Sequence, residues 1–215
     1  MEKLDFREIL EKSELEYFLL RFNDYVGVKL PAEYVKRCRT VGVFLQNRLV
    51  GGYMLVSEPP FRSLLFVPDT VREKNSTLNS DPNDLLEING LWLSSSLKSP
   101  ELQLAVWFHL VANIFLCKKK SVLLLRNSQN QAMKRLMSLA KPELLYDGAP
   151  QIMAGESTHE RIQVSVTSRW RILMLSYKYW FELKERQRRA ESFQLRISKF
   201  TKLHSSNNAN TVLVK

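Results

Sequence analysis

The sequence contains few cysteines, and their scarcity excludes several classes of protein. Cys38 and Cys117 are the only two, too few for a disulfide framework or a cysteine-rich metal site. Two thiols in 215 residues are typical of a reducing compartment, so a cytoplasmic protein is expected. The sequence also lacks the Ser/His/Asp order of a hydrolase, a phosphate-binding loop and a dinucleotide fingerprint. We therefore expect no permanently bound cofactor and no metal site.

Long apolar runs are missing as well. No stretch approaches the roughly 20 apolar residues that a helix needs to span a bilayer. The N-terminal segment MEKLDFREILEKSELE is polar and acidic, which argues against a secretory signal. Because 45% of the residues are hydrophobic, the chain can still bury a substantial core. One domain, or one domain with an extension, is expected.

Acidic residues are scarce in the second half of the chain. Residues 1–100 carry a net charge of −1, whereas residues 101–215 carry a net charge of +11. A basic half favours an acidic partner, which could be an acidic protein, an anionic membrane surface or a nucleic acid.

The stretch over residues 85–148 organises the rest of the chain. Residues 85–93 (LLEINGLWL) and 121–125 (SVLLL) predict two apolar strands, and residues 143–147 predict a third. Apolar residues at spacings of three and four predict a helix over 101–116, with Pro100 in its first turn. Residues 127–140 predict a second helix. Because strands joined by crossover helices are usually parallel neighbours, an α/β block is expected.

The segment before this block is predicted to be mixed. Residues 4–26 predict one or two helices, and Pro31 precedes a short one. Residues 40–60 predict a β-hairpin with a tight turn at QNR and a bulge or close approach at Gly51 and Gly52. Residues 63–67 (SLLFV) predict a third short strand, and residues 69–84 predict a long polar loop.

The segment after the block changes character. Residues 161–168 alternate between apolar and polar, which predicts a strand. Residues 169–200 contain no glycine or proline, so they predict one long helix or two, with a basic second half. We therefore expect a domain over 1–168, a basic helical extension over 169–203 and a disordered tail over 204–215.

The order of these elements resembles the GNAT superfamily of N-acyltransferases. The resemblance covers roughly residues 15–168, in VGVFLQNRLVGGYMLV, LLEINGLWLSSSLKSPELQLAVWFHLVA and SVLLLRNSQNQAMKRLMSLAKPELLYDG. It implies a mixed α/β fold, that is, a twisted GNAT-like sheet flanked by helices. It also implies transfer of an acyl group from a thioester to an amine.

Two departures from the family pattern argue against standard acetyl-CoA chemistry, and one branch of the family shares the first of them. The turn SSSLKSPE has no glycine, although members that use coenzyme A place a glycine-rich turn there. Met137 stands where many members have a tyrosine that protonates the leaving thiol. The autoinducer synthases and the long-chain N-acyl amino acid synthases also depart from the glycine turn. They take acyl groups from acyl carrier protein, and their LRxxxY segment is similar to LLRFNDY here.

The resemblance implies candidate residues for aminolysis of a thioester, which needs a base, an oxyanion donor and an aligned slot. Glu87 is the candidate base because burial in an apolar strand would raise its pKa. Asn89 lies on the same strand face and could orient the substrate or a water. Arg21 belongs to the LRxxxY-like segment and is a candidate on the acceptor side. Alternatively, Glu87 and Asn89 are structural strand residues and Arg21 forms a salt bridge.

The donor side has its own candidates. The backbone of Leu91 to Leu93 would hold the oxyanion by analogy with the family. Ser95 and Lys98 could bind phosphate or belong to a solvated loop, and Asn127 could contact the acyl carrier arm or cap a helix. Four aromatic residues could line an acyl tunnel or simply fill the core: Trp92, Trp107, Phe108 and Phe115.

Three functions remain open from the sequence. The first is an N-acyltransferase that moves a long acyl group from acyl carrier protein or coenzyme A to an amine or amino acid. The second is a catalytically inactive GNAT-like protein that docks an acidic partner through its basic half. A nucleic-acid binder ranks last because the aromatics of the C-terminal helix lie in its apolar half and provide no stacking platform.

Overall fold

The computed structural model describes residues 3–78, 81–97, 99–129, 134, 137–149, 156, 157, 160–181, 184, 185 and 188. The chain forms two compact units, Met1–Ser176 and Tyr177–Lys215. In the second unit the described residues 177–181, 184, 185 and 188 are helical. Residues 182, 183, 186, 187 and 189–203 of the predicted extension lie outside the described residues, as do the predicted tail and Lys98.

The first half of the larger unit carries one hairpin and four helices. Its elements are β1 (Leu4–Glu8), α1 (Lys12–Val26), β2 (Val28–Lys29), α2 (Ala32–Val35), β3 (Arg39–Leu45), β4 (Arg48–Val56), α3 (Arg62–Leu65) and α4 (Asp69–Lys74).

The second half contains the central strand and its neighbours. Its elements are a 3-10 turn (Pro82–Asp84), β5 (Leu85–Leu93), α5 (Pro100–Leu116), β6 (Ser121–Asn127), β7 (Glu143–Gly148), β8 (Glu156–Ser157) and β9 (Ile162–Ser168). Residues 169–176, which end this unit, are helical, as are residues 134, 137 and 138.

Seven of these strands form one mixed sheet in the order β1-β3-β4-β5-β6-β9-β7. The pair β5–β6 is parallel, and every other pair in the sheet is antiparallel. The predicted mixed α/β fold is therefore confirmed. Strands β2 and β8 form a separate antiparallel pair.

The hairpin β3–β4 forms as predicted. Its two turn residues, Gln46 and Asn47, have φ angles of 50° and 63°, as in the type I′ turn that matches the twist of paired strands. Gly52 allows a close approach, since a Cβ there would lie 2.4 Å from the carbonyl oxygen of Val41. The pairing of β4 with β5 also shifts register between Gly52 and Met54, which marks a bulge.

Two apolar layers cover the two faces of the sheet. Consecutive strand residues point to opposite faces, so Leu85 packs with α1 and α2 whereas Leu86 packs with α5. Phe18 and Phe22 are the buried residues of α1, and the helix ends at Gly27 in the left-handed conformation. Ile172, in the helical residues 169–176, joins the layer that contains α5. The sheet is thus buried on both sides around β5 and β6.

Four local expectations were wrong. Residues 4–8 form the edge strand β1 rather than a helix, because they pair with β3. Residues 62–65 form the helix α3 rather than a strand. The stretch 69–84 contains α4 and the 3-10 turn rather than only loop. Finally, β7 does not lie beside β6, because β9 inserts between them and pairs antiparallel with both.

Candidate active site

The two central strands, β5 and β6, separate from each other toward their C-terminal ends. The parallel pairing joins Leu85–Ile88 to Ser121–Leu124. Beyond it, β5 continues to Leu93 paired only with β4, and β6 continues to Asn127 paired only with β9. A cavity of about 290 Å³ opens at this separation, with walls from α1, α3, β5 and β6. Ligands commonly bind where neighbouring strands part in α/β sheets. This cavity is therefore the candidate active site.

Glu87 lies beside the cavity wall but not in it. It is fully buried, and its two carboxylate oxygens accept hydrogen bonds from four donors. Oε2 accepts from the Tyr34 hydroxyl (3.0 Å) and the Arg62 backbone N–H (2.9 Å), and Oε1 accepts from the backbone N–H (2.7 Å) and hydroxyl of Ser63. Burial raises the pKa of Glu87, and the hydrogen bonds oppose that rise. The carboxylate thereby anchors the first turn of α3 to the central strand.

Asn89 connects this network to the cavity. Its side-chain amide donates to the Tyr34 hydroxyl (3.0 Å), and its Oδ1 accepts from the Gly90 N–H (2.8 Å). Asn89, Gly90 and Leu91 all line the cavity. Gly90 has a φ of 60° within the bulge, so the backbone at Gly90 and Leu91 departs from regular strand geometry. The structure thus brings Asn89 and Leu91, two of the predicted site residues, together in the cavity wall.

Two arginines give the cavity a positive character. Arg62 is 4% exposed, and burial lowers its pKa. Arg126 donates to Gln163, whose amide donates to Asp147 (2.5 Å). The Nη1 of Arg126 is buried, and no described residue accepts a hydrogen bond from it. Among the described residues that line the cavity there is no acidic side chain.

Arg21 lies one helical turn before Tyr25, which lines the cavity. It donates to the Tyr25 hydroxyl (3.4 Å) and pairs with Asp24 (3.6 Å), while its Nε is buried with no partner in the described structure. The Tyr25 hydroxyl also bonds Ser94 Oγ (2.9 Å), and this bond and the Arg21 charge lower the pKa of Tyr25. Its ring stacks on Trp92 at 5.0 Å. Arg21 thus contacts the site through Tyr25 and does not itself line the cavity.

The predicted donor-side residues divide into two groups. Asn127 lines the cavity, and its Oδ1 accepts from the Gln129 N–H (2.9 Å). Leu93 and Ser95 lie further along the chain and do not line it. The α5 helix begins after Ser99, whose hydroxyl accepts from the Leu102 N–H (3.3 Å) and caps the helix. The start of α5 is therefore an ordinary capped helix terminus preceded by a serine-rich turn.

A second, smaller cavity of about 40 Å³ lies between β5, β6, α5 and the helical residues 169–176. Its lining is entirely apolar, and Trp107 contributes to it. Four residues line both cavities: Ile88, Leu91, Leu124 and Met137. Of the aromatics considered for a tunnel, Trp92 is buried against α1, Phe108 is exposed, and Phe115 contacts Trp170.

Sequence reasoning missed three residues that shape the site. Tyr34 joins Glu87 to Asn89, although 53 residues separate Tyr34 from Glu87 along the chain. Arg62 follows a Pro-Pro-Phe turn, and Arg126 ends an apolar strand. A charged residue directly after an apolar strand was the one signal that could have indicated Arg126, since strand ends supply site residues in α/β sheets.

Neither a metal centre nor a membrane-spanning helix is found in the described part of the chain. No group of three or more His, Cys, Asp or Glu side chains there could hold a metal ion. No helix among the described residues is long and apolar enough to cross a bilayer.

Comparisons with known proteins identify the fold. No protein-family model matches the sequence, and no curated protein sequence matches it. FeeM, an N-acyl amino acid synthase from uncultured soil microbes, superposes with a TM-score of 0.63 and 9% identity, over 84% of this chain and 99% of that one.

Two further solved structures also superpose on this chain. NAA60 of Arabidopsis thaliana in complex with acetyl-CoA has a TM-score of 0.55 and 13% identity, over 77% of this chain and 98% of that one. A GNAT family acetyltransferase from Elizabethkingia anophelis with acetyl-CoA bound has a TM-score of 0.50 and 8% identity, over 77% and 97%. With the separated central strands and the bulged β5, these likenesses show that the chain has the GNAT acyltransferase fold.

Proposed function

We propose that the protein is an N-acyltransferase that moves an acyl group from a thioester of acyl carrier protein or coenzyme A to the amine of an amino acid. The observation that carries the proposal is the cavity at the separation of β5 and β6. A thioester laid between the two strands would place its carbonyl beside the bulge at Gly90 and Leu91. The Leu91 N–H would hold the developing oxyanion, because the Gly90 N–H already donates to Asn89 Oδ1.

The second cavity supports a long acyl group. It shares Ile88, Leu91, Leu124 and Met137 with the first cavity and has no polar lining. A hydrocarbon chain that passed between these residues would move from water into an apolar environment. This transfer would stabilise binding by about 0.8 kcal/mol for each buried methylene. A long chain must widen the 40 Å³ space, and the unbranched side chain of Met137 can adapt to it.

The two arginines support an acceptor that carries a carboxylate. Arg62 is buried at the cavity wall, and the buried Nη1 of Arg126 has no acceptor among the described residues. A carboxylate that received a hydrogen bond from Arg126 would satisfy this donor and balance the positive lining. A simple alkyl amine, which is protonated at neutral pH, would instead add a third positive charge with no carboxylate to balance it. An amino acid therefore fits the lining better than an amine without a carboxylate.

The reaction needs a neutral amine aligned with the thioester carbonyl and a donor for the oxyanion. The neutral amine attacks the thioester carbonyl, a C–N bond forms, the C–S bond breaks, and the amine proton and the thiolate are released as a thiol. Asn89 would orient the acceptor from the cavity wall. Glu87 would act through Tyr34 and Asn89 rather than by direct contact, because four protein donors already occupy its oxygens. Arg21 would support the acceptor side through Tyr25.

A catalytically inactive binding protein is the second candidate. Two observations favour it. The oxygens of Glu87 are fully engaged in hydrogen bonds to protein donors, and position 137 carries a methionine, so neither residue supplies an acid or base at the cavity. Such a protein would bind the acyl thioester without turning it over.

The test uses the purified full chain with acyl carrier protein and coenzyme A thioesters of several chain lengths. Acceptors are amino acids and, as matched controls, their decarboxylated amines, and products are detected by mass spectrometry. We expect N-acyl amino acids and little acylation of the decarboxylated amines. Absence of both product and thermal stabilisation with every donor would refute the proposal, whereas stabilisation without product would support the binding protein.

A variant with a larger side chain between the two cavities tests the proposed path of the acyl chain. Leu91→Trp places a large side chain where the two cavities meet, so long acyl donors should lose activity more than acetyl donors. Leu20→Trp is the control, because Leu20 is exposed on α1. Equal loss for short and long donors in Leu91→Trp would contradict the proposed path of the acyl chain.

A further inference from the structure

Three segments of the larger unit meet at the end of the sheet opposite the cavity. They are residues 115–120, where α5 passes into β6, Lys141 before β7, and residues 169–174 after β9. The Arg169 N–H donates to the Lys120 carbonyl (3.0 Å), and the Arg171 guanidinium donates to the Lys141 carbonyl (3.1 Å). The rings of Phe115 and Trp170 meet edge to face at 5.0 Å. These contacts join the three segments into one surface.

The surface is strongly basic. Lys120 pairs with Asp84 (2.6 Å), and the Lys119 ammonium donates to the Asn83 carbonyl (2.7 Å). Asp84 is the one carboxylate that pairs with this surface in the described part of the chain. Six cationic residues contribute to it: Lys118, Lys119, Lys120, Lys141, Arg169 and Arg171.

The same surface exposes large apolar side chains. Leu116 is 72% exposed, Trp170 57% and Met174 56%. Leu116 directly precedes the Cys117–Lys120 turn, and Trp170 lies between Arg169 and Arg171. Apolar and cationic side chains are therefore interspersed, which is the composition of surfaces that lie in a membrane interface.

We propose that this basic-apolar surface docks the protein on an anionic membrane. The cations would face lipid phosphates and carboxylates at the headgroup level, where each Lys or Arg adds to the binding energy. Leu116, Trp170 and Met174 would enter the boundary between headgroups and acyl chains, and tryptophan is enriched at that depth. The inference rests on this surface alone and holds whether or not the cavity performs acyl transfer.

Two other classes of anionic partner fit the surface less well. A nucleic acid would need an open aromatic face for stacking, but the Arg169 guanidinium lies over the Trp170 ring at 5.6 Å and the Phe115 ring packs against Trp170 edge to face. Leu116 and Met174 offer no stacking at all. An acidic protein would pair with the lysines but gives no general reason for three exposed apolar side chains between them.

The position of the surface is compatible with an open active site. Strand β6 begins at Ser121 beside the basic-apolar surface and ends at Asn127 in the cavity. Six strand residues correspond to about 20 Å. A membrane bound at the Ser121 end of β6 would therefore leave the cavity open at the opposite end of the sheet.

Sedimentation with vesicles tests the proposal on the full chain. The vesicles are phosphatidylcholine alone or phosphatidylcholine with phosphatidylserine. The charge variant combines Lys118→Gln, Lys141→Gln and Arg171→Gln. The apolar variant combines Leu116→Ser and Trp170→Ser. Matched controls change exposed residues elsewhere: Lys12→Gln with Lys36→Gln and Arg48→Gln, and Leu10→Ser with Leu20→Ser.

We expect binding to phosphatidylserine vesicles that falls with salt. The charge variant should bind on the order of a hundredfold more weakly, at about fivefold for each charge, and the controls should bind as wild type. The apolar variant should also lose binding, including at high salt, where the charges are screened.

Three results would overturn the proposal. Wild type could fail to bind phosphatidylserine vesicles, the charge and apolar variants could bind as well as wild type, or the controls could lose as much as the variants. Binding to RNA or to an acidic carrier protein that the same variants abolish, without vesicle binding, would assign the surface to that partner instead. Circular dichroism of each variant separates loss of binding from loss of fold.

Discussion

Replacing Glu87 by glutamine should destabilise the protein strongly although the two side chains have the same shape. A carboxylate only accepts hydrogen bonds, and four donors face Glu87. A glutamine amide must point its NH2 group at one pair of these donors. The hydroxyl of Tyr34 or Ser63 can rotate and become an acceptor, but the backbone N–H of Arg62 or Ser63 cannot.

The magnitude follows from these contacts. One buried N–H without an acceptor costs about 1–3 kcal/mol, and charge-assisted bonds that become neutral lose about 1 kcal/mol each. Relief from burying a charge offsets part of this loss. We therefore expect Glu87→Gln to lower the free energy of unfolding by about 3 kcal/mol, a large part of a typical domain's stability.

Urea unfolding followed by tryptophan fluorescence measures this change. Glu58→Gln is the matched control, because Glu58 is exposed and its substitution should stay within about 0.5 kcal/mol of wild type. Tyr34→Phe removes one donor to Glu87 and should cost less than Glu87→Gln. A Glu87→Gln protein as stable as wild type would refute the description of Glu87 as an anchored anion. Turnover is then compared from pH 6 to pH 9 at temperatures where both proteins are folded, and an unchanged rate would make Glu87 purely structural.

Three further predictions concern other parts of the larger unit. The pKa of His109 is lowered by burial and by the Arg39 charge, and its Nδ1 lies 2.8 Å from the Tyr53 hydroxyl, so folding favours the neutral ring. Wild type should therefore lose stability as the pH falls below about 6.5, the unfolded value, and His109→Gln should flatten that part of a pH series of urea midpoints. Gly52→Ala should destabilise by several kcal/mol in thermal unfolding, because its Cβ would clash with a backbone carbonyl; an unchanged midpoint would contradict the close approach. Arg126→Gln should raise the KM for an amino acid acceptor at least tenfold while the KM for the acyl donor stays within about twofold; equal changes in both would exclude a role in acceptor recognition.

The central block was predictable because its signals are local. Ser99 and Pro100 mark the start of α5, and the helix ends at Leu116 as the apolar spacing indicated. The apolar residues of β5 and β6 need no partner to identify them, since strands buried on both faces are apolar throughout. The prediction of β6 ended two residues early, because Arg126 and Asn127 are polar strand residues that line the cavity.

The mistakes arose where distant contacts override local preference. The residues of SLLFV favour a strand by composition, yet the backbone N–H groups of Arg62 and Ser63 are held by Glu87, which starts a helix there. Strand β1 has charged residues at Arg7 and Glu8 and gains its strand conformation from pairing with β3. No short window of sequence contains either partner.

Only the part of the site that depends on local sequence signals was predictable. The burial of Glu87 followed from its apolar neighbours, and the proximity of Asn89 and Leu91 followed from the strand. The hydrogen bonds that Tyr34 and Ser63 donate to Glu87 depend on the packing of α2 and α3 against the strand. Tyr34 and Ser63 precede Glu87 by 53 and 24 residues in the sequence. Whether Glu87, Arg21 and Asn89 act in catalysis stays a prediction, and the turnover of Glu87→Gln tests it for Glu87.

The insertion of β9 between β6 and β7 sets an order of events for the growing chain. When the ribosome has released residues up to Gly148, β7 has been made but its neighbour in the sheet has not. Until Ile162–Ser168 follow, β6 presents an unpaired edge of seven residues, and such edges invite pairing with other chains. At a synthesis rate of about 5–20 residues per second this exposure lasts on the order of a few seconds. Chaperones that hold exposed strands should therefore bind nascent chains stalled between residues 127 and 160 more than chains released beyond residue 176.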